Sequence, residues 1–408
     1  MNMNMKTYYD SFQSCASSED GDGIKALLST DAPHAKDLTL KISQNNPKKL
    51  EADVRRLIGN PWDELVLQYF KVLLAIHKNN YSEAYKEHNN MTIIFFRLAS
   101  NMSRWILPVL YMICWETREL ADKADDYLID NDEDPKCLEE AARNINKGFS
   151  TCITDRSPLN TSRKWGVYYM AGFAFKTYFK VRQRNLCTNI LRSIKVQDLP
   201  SLGQYPKPHQ VTYLYYHGRL LFLEAAYQQA EEKFVAAFRR CPRFEKKNKE
   251  LILRYLIPVW LIRGVLPSRE LLSRYPATNE LYGSFIDAIK DGNVKKFEEA
   301  LLQKEKILVA HETFLTVELA REISIRSLFK KVYILNNRDS RIPLEKFHKA
   351  LKFVGSNVEM TEVIWFVAEM IRKGFIRGYL SYQKMYLVLS EINPFPPIGV
   401  NHPSAIIE

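Results

Sequence analysis

Five residues near the middle of this chain stand at steps that constrain its fold. Gly218, Ala230, Phe234, Ala237 and Pro242 are separated by 12, 4, 3 and 5 positions. In two antiparallel helices, small residues at these steps let the backbones approach each other. An aromatic ring then fills the gap to the next hairpin, and a proline ends the second helix. The spacing therefore predicts a helical hairpin across this segment.

Residues that end helices are scarce throughout the chain. Among 408 residues there are 15 Gly and 18 Pro, both below the roughly 7% and 5% of average usage. From Trp62 onward, apolar residues recur at three- and four-residue steps, which is the period of an amphipathic helix. We therefore expect an all-α stack of tetratricopeptide-like hairpins, with N-terminal repeats over residues 61–205 and further repeats over residues 206–335.

The pattern changes near the C-terminus. A helix is predicted to open at Arg341–Leu344, with its proline in the first turn, and a second helix over Met360–Lys373. Two short runs rich in aromatic and aliphatic residues follow, Phe375–Leu380 and Met385–Ser390, and they are typical of strands in a hairpin. Helix, turn, helix and hairpin together predict a winged helix over residues 336–392.

The two ends of the chain are predicted to be less regular. Residues 1–60 form a variable N-terminal segment with one helix near Gly23–Ser29, and residues 393–408 form a Pro-rich tail. Four further predicted helices bear on the comparison below: Ser82–His88, Ile93–Leu110, Trp115–Leu128 and Thr313–Leu335.

Motifs for catalysis and metal binding are absent from the sequence. It contains no phosphate-binding glycine loop and no G-x-G-x-x-G, and His311-Glu312 lacks the second histidine of H-E-x-x-H. The six cysteines form no C-x-x-C pair, so we expect reduced thiols rather than a zinc site. The sequence thus predicts a protein that is not an enzyme and that carries no cofactor or metal.

Membrane insertion is not expected either. The N-terminal stretch MNMNMKTYYDSF lacks the apolar region of a signal peptide. The longest apolar run, Trp105–Trp115, is about 11 residues, too short to span a bilayer.

Basic residues cluster on both sides of the predicted start of the winged helix. The chain has a formal net charge of +11, which suits contact with nucleic acid or an acidic partner. Lys346, Lys349 and Lys352 step by three and share a helix face, as Arg326 and Lys330 do at a step of four. The candidate residues for sequence-independent phosphate contact are Arg326, Lys330, Lys331, Arg341, Lys346, Lys349, Lys352, Arg377 and Lys384.

A second basic stretch lies in the N-terminal half. From Arg156 to Val196 there are nine basic residues and no Asp or Glu. The candidate surface consists of Arg163, Lys164, Lys176, Lys180, Arg182 and Arg184. It would face phosphate or an acidic partner. The alternative is a helical hairpin whose interleaved aromatic residues are core and whose basic side chains extend into water.

The last predicted strand is a candidate partner interface. If it is an exposed edge, it can pair with a strand of another subunit. The residues concerned are Met385, Tyr386, Leu387, Val388 and Leu389. The preceding helix, Met360–Lys373, carries Glu362 and Glu369 and is largely apolar, which argues against reading of bases in the major groove.

Four stretches resemble a subfamily of the PCI-domain proteins, which contains PCI domain-containing protein two and the signalosome-subunit-twelve-like proteins. They are SRKWGVYYM (Ser162–Met170), KNKELILRYLIPVWLIRGVLP (Lys247–Pro267), SLFKKVYIL (Ser327–Leu335) and NPFPP (Asn393–Pro397). The resemblance implies that residues 206–335 are the helical-repeat part of a PCI domain and that the winged helix completes it.

The resemblance also implies a role. It points to a non-catalytic scaffold subunit of a nuclear complex in transcription-coupled mRNA processing and export, with the cytoplasm as a further location. The implied partners are a second, larger PCI-domain subunit, a small acidic Dss/Sem-type protein, and RNA or DNA bound without sequence preference. The alternative is an assembly subunit of a signalosome-like complex that regulates protein deneddylation and makes no nucleic-acid contact.

Overall fold

Helices make up most of the computed structural model, which describes residues 4–398. The chain divides into two units, Met1–Tyr216 and His217–Glu408. Helices account for the regular structure of the first unit, whereas the second also contains a three-stranded antiparallel sheet. The described part of the chain is therefore all-α with one small sheet, as expected.

In the first unit, most helices pack mainly on neighbours that are close in sequence. The helix α11 (Lys207–Leu223) passes from this unit into the second. The preceding helices are α1 (Met5–Ser17), α2 (Gly21–Leu28), α3 (Pro33–Gln44), α4 (Pro47–Leu57), α5 (Asp63–His77), α6 (Tyr81–Ala99), α7 (Leu107–Asp130), α8 (Cys137–Ile153), α9 (Val167–Lys180) and α10 (Asn185–Val196).

The N-terminal 60 residues differ from the prediction of a single helix, which is wrong. Four helices occupy this segment, and Tyr8, Phe12 and Leu38 on them are fully buried. The loop after α2 is fixed to α7 because Glu116 accepts hydrogen bonds of 2.9 Å from the Ser29 hydroxyl and the Thr30 amide. These helices bury narrow apolar stripes between many polar residues, so composition alone concealed them.

Three predicted helix boundaries are also wrong. The helices predicted at Ser82–His88 and Ile93–Leu110 overlap one continuous helix, α6, and a break follows at residue 99. The prediction placed a break between Ile93–Leu110 and Trp115–Leu128. The helix α7 instead runs without interruption through residues 111–114. Thr313–Leu335 is two helices rather than one.

In the second unit, the predicted close approach between α11 and α12 is present. A Cβ atom added at Gly218 would lie 3.0 Å from the ring of Phe234, so glycine at this position permits the close contact between the two helices. Phe234 and its neighbours Ala230 and Ala237 are fully buried. The helices of this unit after α11 are α12 (Tyr227–Arg240), α13 (Lys246–Ile262), α14 (Arg269–Arg274), α15 (Pro276–Asp291), α16 (Val294–Ala310), α17 (Phe314–Leu319) and α18 (Arg321–Leu335).

The chain then forms the sheet and its two helices. The elements are β1 (Arg341–Pro343), α19 (Leu344–Phe353), α20 (Met360–Arg372), β2 (Gly378–Ser381) and β3 (Tyr386–Leu389). The strand order is β1-β3-β2, with all pairs antiparallel. Ile342, Phe347 and Leu387 are fully buried in the core that the sheet shares with α18, α19 and α20.

The strand β1 corrects a prediction. Arg341–Pro343 was expected to open a helix, but it pairs with β3 in the register Arg341 with Val388 and Pro343 with Tyr386. The helix begins only at Leu344. A three-residue strand carries no period of its own, because only its partner strand, more than forty residues away, makes it a strand.

Candidate nucleic-acid interface

The helices α18 and α19 pack against each other in the second unit and carry most of the candidate lysines. The rings of Phe329 and Phe347 lie 4.8 Å apart between the two helices. Each of these buried rings is followed or preceded in sequence by an exposed lysine, Lys330 and Lys346. Packing of apolar faces against the core thus leaves the basic residues of both helices in solvent.

The five candidate lysines of α18 and α19 are all exposed, but they differ in their partners. The Nζ of Lys331 donates to the Asp291 carbonyl oxygen at 2.8 Å. Lys346 Nζ donates to the Asn336 side chain at the end of α18. Both acceptors are neutral, so both lysines keep an uncompensated charge.

Lys349 differs from the rest because it forms an ion pair with Glu345 at 2.6 Å, one turn earlier in α19. Lys330 and Lys352 make no ion pair or side-chain hydrogen bond with any residue between 4 and 398. The available cations on these helices are therefore Lys330, Lys331, Lys346 and Lys352. We refer to these four residues as the lysine face.

Arg326 does not belong to the lysine face. It is half-buried, and its guanidinium donates to the carbonyl oxygens of Phe375 at 3.0 Å and Pro396 at 2.6 Å. Burial lowers the pKa of this arginine. The prediction that Arg326 contacts phosphate together with Lys330 does not fit the structure, because the C-terminal segment folds back over Arg326.

The other three candidates surround the sheet. Arg341, Arg377 and Lys384 are all exposed. Arg341 lies on the β1 edge, and Arg377 directly precedes β2 at the opposite edge, so two strand spacings, about 10 Å, separate their backbones. Lys384 lies in the turn between β2 and β3. The structure thus places these cations at both edges and one end of the sheet.

The predicted partner edge, Met385 to Leu389, is not an edge. Its strand β3 lies between β1 and β2 and uses both sides for pairing, and Leu387 and Leu389 are buried. The error arose because a hairpin seen alone has two edges, whereas β1 covers one side of β3. The open edges belong to β1 and β2, and β2 and the turn after it expose Tyr379 and Tyr382. Tyr379 belongs to the first of the two predicted runs, Phe375–Leu380, but the sequence could not assign that run to an open edge.

The helix α20 presents no free cation at its C-terminal end. Glu369 lies 2.6 Å from Arg372 and 3.2 Å from Lys373, and Lys373 also pairs with Glu322 at 2.7 Å. Hydrogen bonds from Arg372 lower the pKa of Glu369 to about 2. The exposed face also carries Trp365, whose side chain is 58% accessible. These features fit a protein contact better than insertion into a nucleic-acid groove.

The second candidate surface, in the first unit, is divided by acidic residues from elsewhere in the chain. Lys180 pairs with Asp122 of α7 at 2.7 Å. Lys164 donates to the carbonyl oxygen of Asp198 at 3.1 Å, and the guanidinium of Arg184 lies over the ring of Phe179. Lys176 and Arg182 are exposed. A run without Asp or Glu in sequence is therefore not an unopposed surface in the fold.

Arg163 is buried, so the prediction that it is exposed for phosphate contact is wrong. It pairs with Asp155 at 3.4 Å and donates to the carbonyl oxygen of Ala99. Burial alone would raise the pKa of the Asp155 carboxyl. Hydrogen bonds from the amides of Arg163 and Ser157 and from the Ser162 and Ser157 hydroxyls outweigh burial and hold this pKa well below its usual range. The ion pair therefore stabilises the fold and is not available for ligand binding.

The aromatic residues of the same stretch are core, as the alternative interpretation predicted. Tyr168, Phe173, Phe175, Tyr178 and Phe179 are all buried. Their spacing along α9 is therefore explained by packing and not by contact with bases.

Comparison with known proteins identifies the family. No family model matches the chain. It is 34% identical to the Protein CSN12 homolog of Schizosaccharomyces pombe over 385 residues, covering 89% of this chain and 91% of that protein. It is 31% identical to the PCI domain-containing protein 2 of Xenopus laevis, covering 96% and 97%. The PCI domain-containing protein 2 homolog of Drosophila melanogaster is 33% identical, covering 93% and 95%.

The chain belongs to this PCI-domain family. The resemblance read from four stretches is thereby confirmed, and it extends further than those stretches, because the aligned relatives cover nearly the whole chain. PCI-domain proteins assemble into complexes with other PCI subunits, so the chain is a PCI-domain complex subunit.

Two further features bear on what this family member can bind. Between residues 4 and 398, no group of three or more His, Cys, Asp or Glu side chains is arranged to hold a metal ion. Over the same range, no helix is both long and apolar enough to cross a membrane.

Proposed function

We propose that this chain is a non-catalytic scaffold subunit that helps a nuclear PCI complex hold RNA or DNA without sequence preference. The observation that carries the proposal is the lysine face. Four exposed lysines on two packed helices have no carboxylate partner in the described structure, while the neighbouring Lys349 and Lys373 do. Uncompensated cations on two helices that pack together favour contact with the phosphate backbone.

In this proposal the C-terminal module β1-α19-α20-β2-β3 is a winged helix that does not read bases with its second helix. The helix that would enter a groove, α20, carries Trp365 and paired charges, and it serves protein contact. The helix before it carries Lys346 and Lys352 and serves phosphate contact. The hairpins of residues 206–335, which we interpret as tetratricopeptide-like, support the module.

The partners follow from the same surfaces. A second, larger PCI-domain subunit would contact the open β2 edge, where Tyr379 and Tyr382 are exposed. A small acidic protein of the Dss/Sem type would complete the complex, and the role would be mRNA processing and export coupled to transcription. The family relationship and the basic charge of the chain support this role.

A signalosome-like assembly role is the second candidate. The CSN12 part of several relatives' names favours it. The two roles are distinguished by purifying the native complex and identifying its subunits by mass spectrometry. A large PCI partner with bound RNA supports the first role, and a set of signalosome subunits without RNA supports the second.

A further inference from the structure

A cavity in the first unit combines aromatic rings with carboxylates. It has a volume of about 840 Å³ and lies among four segments: the junction of α1 and α2, the start of α7, the loop before α9 and the loop before α11. Its aromatic lining consists of Trp105, Tyr111, Trp165, Tyr205 and His209. Its charged lining consists of Glu19, Asp20, Asp22 and Arg104.

The aromatic wall is held in place by its own hydrogen bonds. The Trp165 indole N–H donates to the Leu159 carbonyl oxygen at 2.6 Å, and the Tyr205 hydroxyl donates to the Lys164 carbonyl oxygen at 3.1 Å. The two rings lie 5.2 Å apart. Because the polar atoms of both rings are already satisfied, the rings can attract a cation only through their electron-rich faces.

The opposite wall is acidic. Asp20 is explained by its structural role, since it accepts a hydrogen bond from the Gly23 amide and caps α2. Glu19 and Asp22 are different, because within the described chain neither carboxylate joins an ion pair or a side-chain hydrogen bond. A Cβ atom at Gly21 would lie 1.9 Å from the Trp105 carbonyl oxygen, so only glycine lets this wall approach the aromatic one.

The charge of the cavity opposes that of the protein. Three carboxylates face one guanidinium, that of Arg104, in a chain with a net charge of +11. Burial lowers the pKa of His209 to about 4, so this ring is neutral near pH 7 and does not offset the carboxylates. Arg104 already lies over Trp165 at 4.7 Å from the ring centre, which shows that this ring accepts a cation on its face.

We propose that this cavity binds a basic peptide segment of a partner protein by taking a lysine or arginine side chain between the aromatic rings and the carboxylates of Glu19 and Asp22. Alkylammonium and guanidinium groups are attracted by both walls at once. A nucleobase could stack on the same rings, but its phosphates would then meet uncompensated carboxylates, so charge complementarity favours the peptide.

The test uses the full-length protein and a fluorescein-labelled decapeptide of alternating Lys and Gly, followed by fluorescence anisotropy at low salt. The variant Glu19→Gln/Asp22→Asn removes two charges without removing bulk, and we expect it to weaken peptide binding roughly tenfold. The matched control, Asp130→Asn/Glu133→Gln, removes two exposed carboxylates of the same unit that do not line the cavity. It should change binding by less than about twofold.

Three outcomes would overturn the proposal. The first is no saturable binding of the peptide, and the second is an equal loss in both double variants. The third is binding of a decauridylate that is unaffected or strengthened by Glu19→Gln/Asp22→Asn and abolished by Trp165→Leu, because it would assign the cavity to single-stranded nucleic acid. Thermal unfolding of each variant, with a melting temperature like that of the wild type, establishes that the loss of binding is local.

Discussion

The guanidinium of Arg326 donates to the carbonyl oxygen of Pro396 at 2.6 Å and thereby fastens the segment after β3 to α18. The same side chain reaches the carbonyl oxygen of Phe375, and Phe395 is buried against Tyr333. An arginine in the middle of a basic cluster thus has a structural role. Its guanidinium is engaged by two carbonyl oxygens and is therefore not available to a ligand at the surface.

Replacing Arg326 by Met should therefore affect stability and not nucleic-acid binding. Two partly buried carbonyl oxygens lose their donor, so we expect the free energy of unfolding of the second unit to fall by about 2 kcal/mol. Urea denaturation measures this, and binding of a labelled oligonucleotide below the unfolding transition should stay within about twofold. The exposed Lys330→Met serves as control, and a larger binding loss for Arg326→Met than for Lys330→Met would contradict the assignment.

Asp155 and Arg163 should make the stability of the first unit sensitive to acid. The folded-state pKa of the Asp155 carboxyl lies well below its usual value of about 3.9. The stabilisation is therefore complete above pH 4 and is lost as pH falls toward the folded-state pKa. We expect Asp155→Asn to lower the free energy of unfolding by roughly 3 kcal/mol at pH 7 and to flatten its decline below pH 4. Denaturant titrations at pH 7, 5, 4 and 3 measure both effects. If the unfolding free energy of the variant declined below pH 4 as steeply as that of the wild type, the role assigned to Asp155 would be contradicted.

Because β3 is the central strand of the sheet, substitutions in β3 and at the open β2 edge should differ in their effect on stability. Leu387→Asp places a charge in the core and should cost more than about 4 kcal/mol, so the C-terminal module unfolds. Tyr379→Ser/Tyr382→Ser changes exposed residues at the open edge and should shift stability by less than about 1 kcal/mol. Amide hydrogen exchange of residues 341–389 compares them. Equal protection in the two variants would mean that β3 is not the central strand.

Much of the fold could be predicted because it depends on local period. The hairpin contact between Gly218 and Phe234 follows from spacing within one helix pair, and the structure contains it. The helices before residue 60 were missed because their apolar stripes are narrow, and β1 was missed because pairing with β3 defines it. Local patterns predict helices well and predict contacts between distant segments poorly.

The candidate site shows the same division. The exposed positions of Lys330, Lys346 and Lys352 follow from helical period on α18 and α19. The burial of Arg163 against Asp155 and of Arg326 under the C-terminal segment does not, because both depend on tertiary packing. A basic cluster read from sequence counts charges, whereas the fold decides which of them remain free for a ligand.

The lysine face is the centre of the functional account, and its salt dependence is the most direct test. The variant Lys330→Glu/Lys346→Glu/Lys352→Glu is compared with Arg269→Glu/Lys296→Glu/Lys306→Glu, which makes the same charge change at exposed positions elsewhere in the second unit. Binding of a single-stranded RNA is measured by anisotropy from 50 to 300 mM KCl, and log Kd is plotted against log salt.

Each phosphate contact to a single strand contributes about 0.7 to that slope. The account predicts that the lysine-face variant loses about 2 units of slope and most of its affinity, while the control variant keeps its slope within about 0.5 unit. Equal slopes for the wild type and the lysine-face variant, or an equal loss in the control, would contradict it.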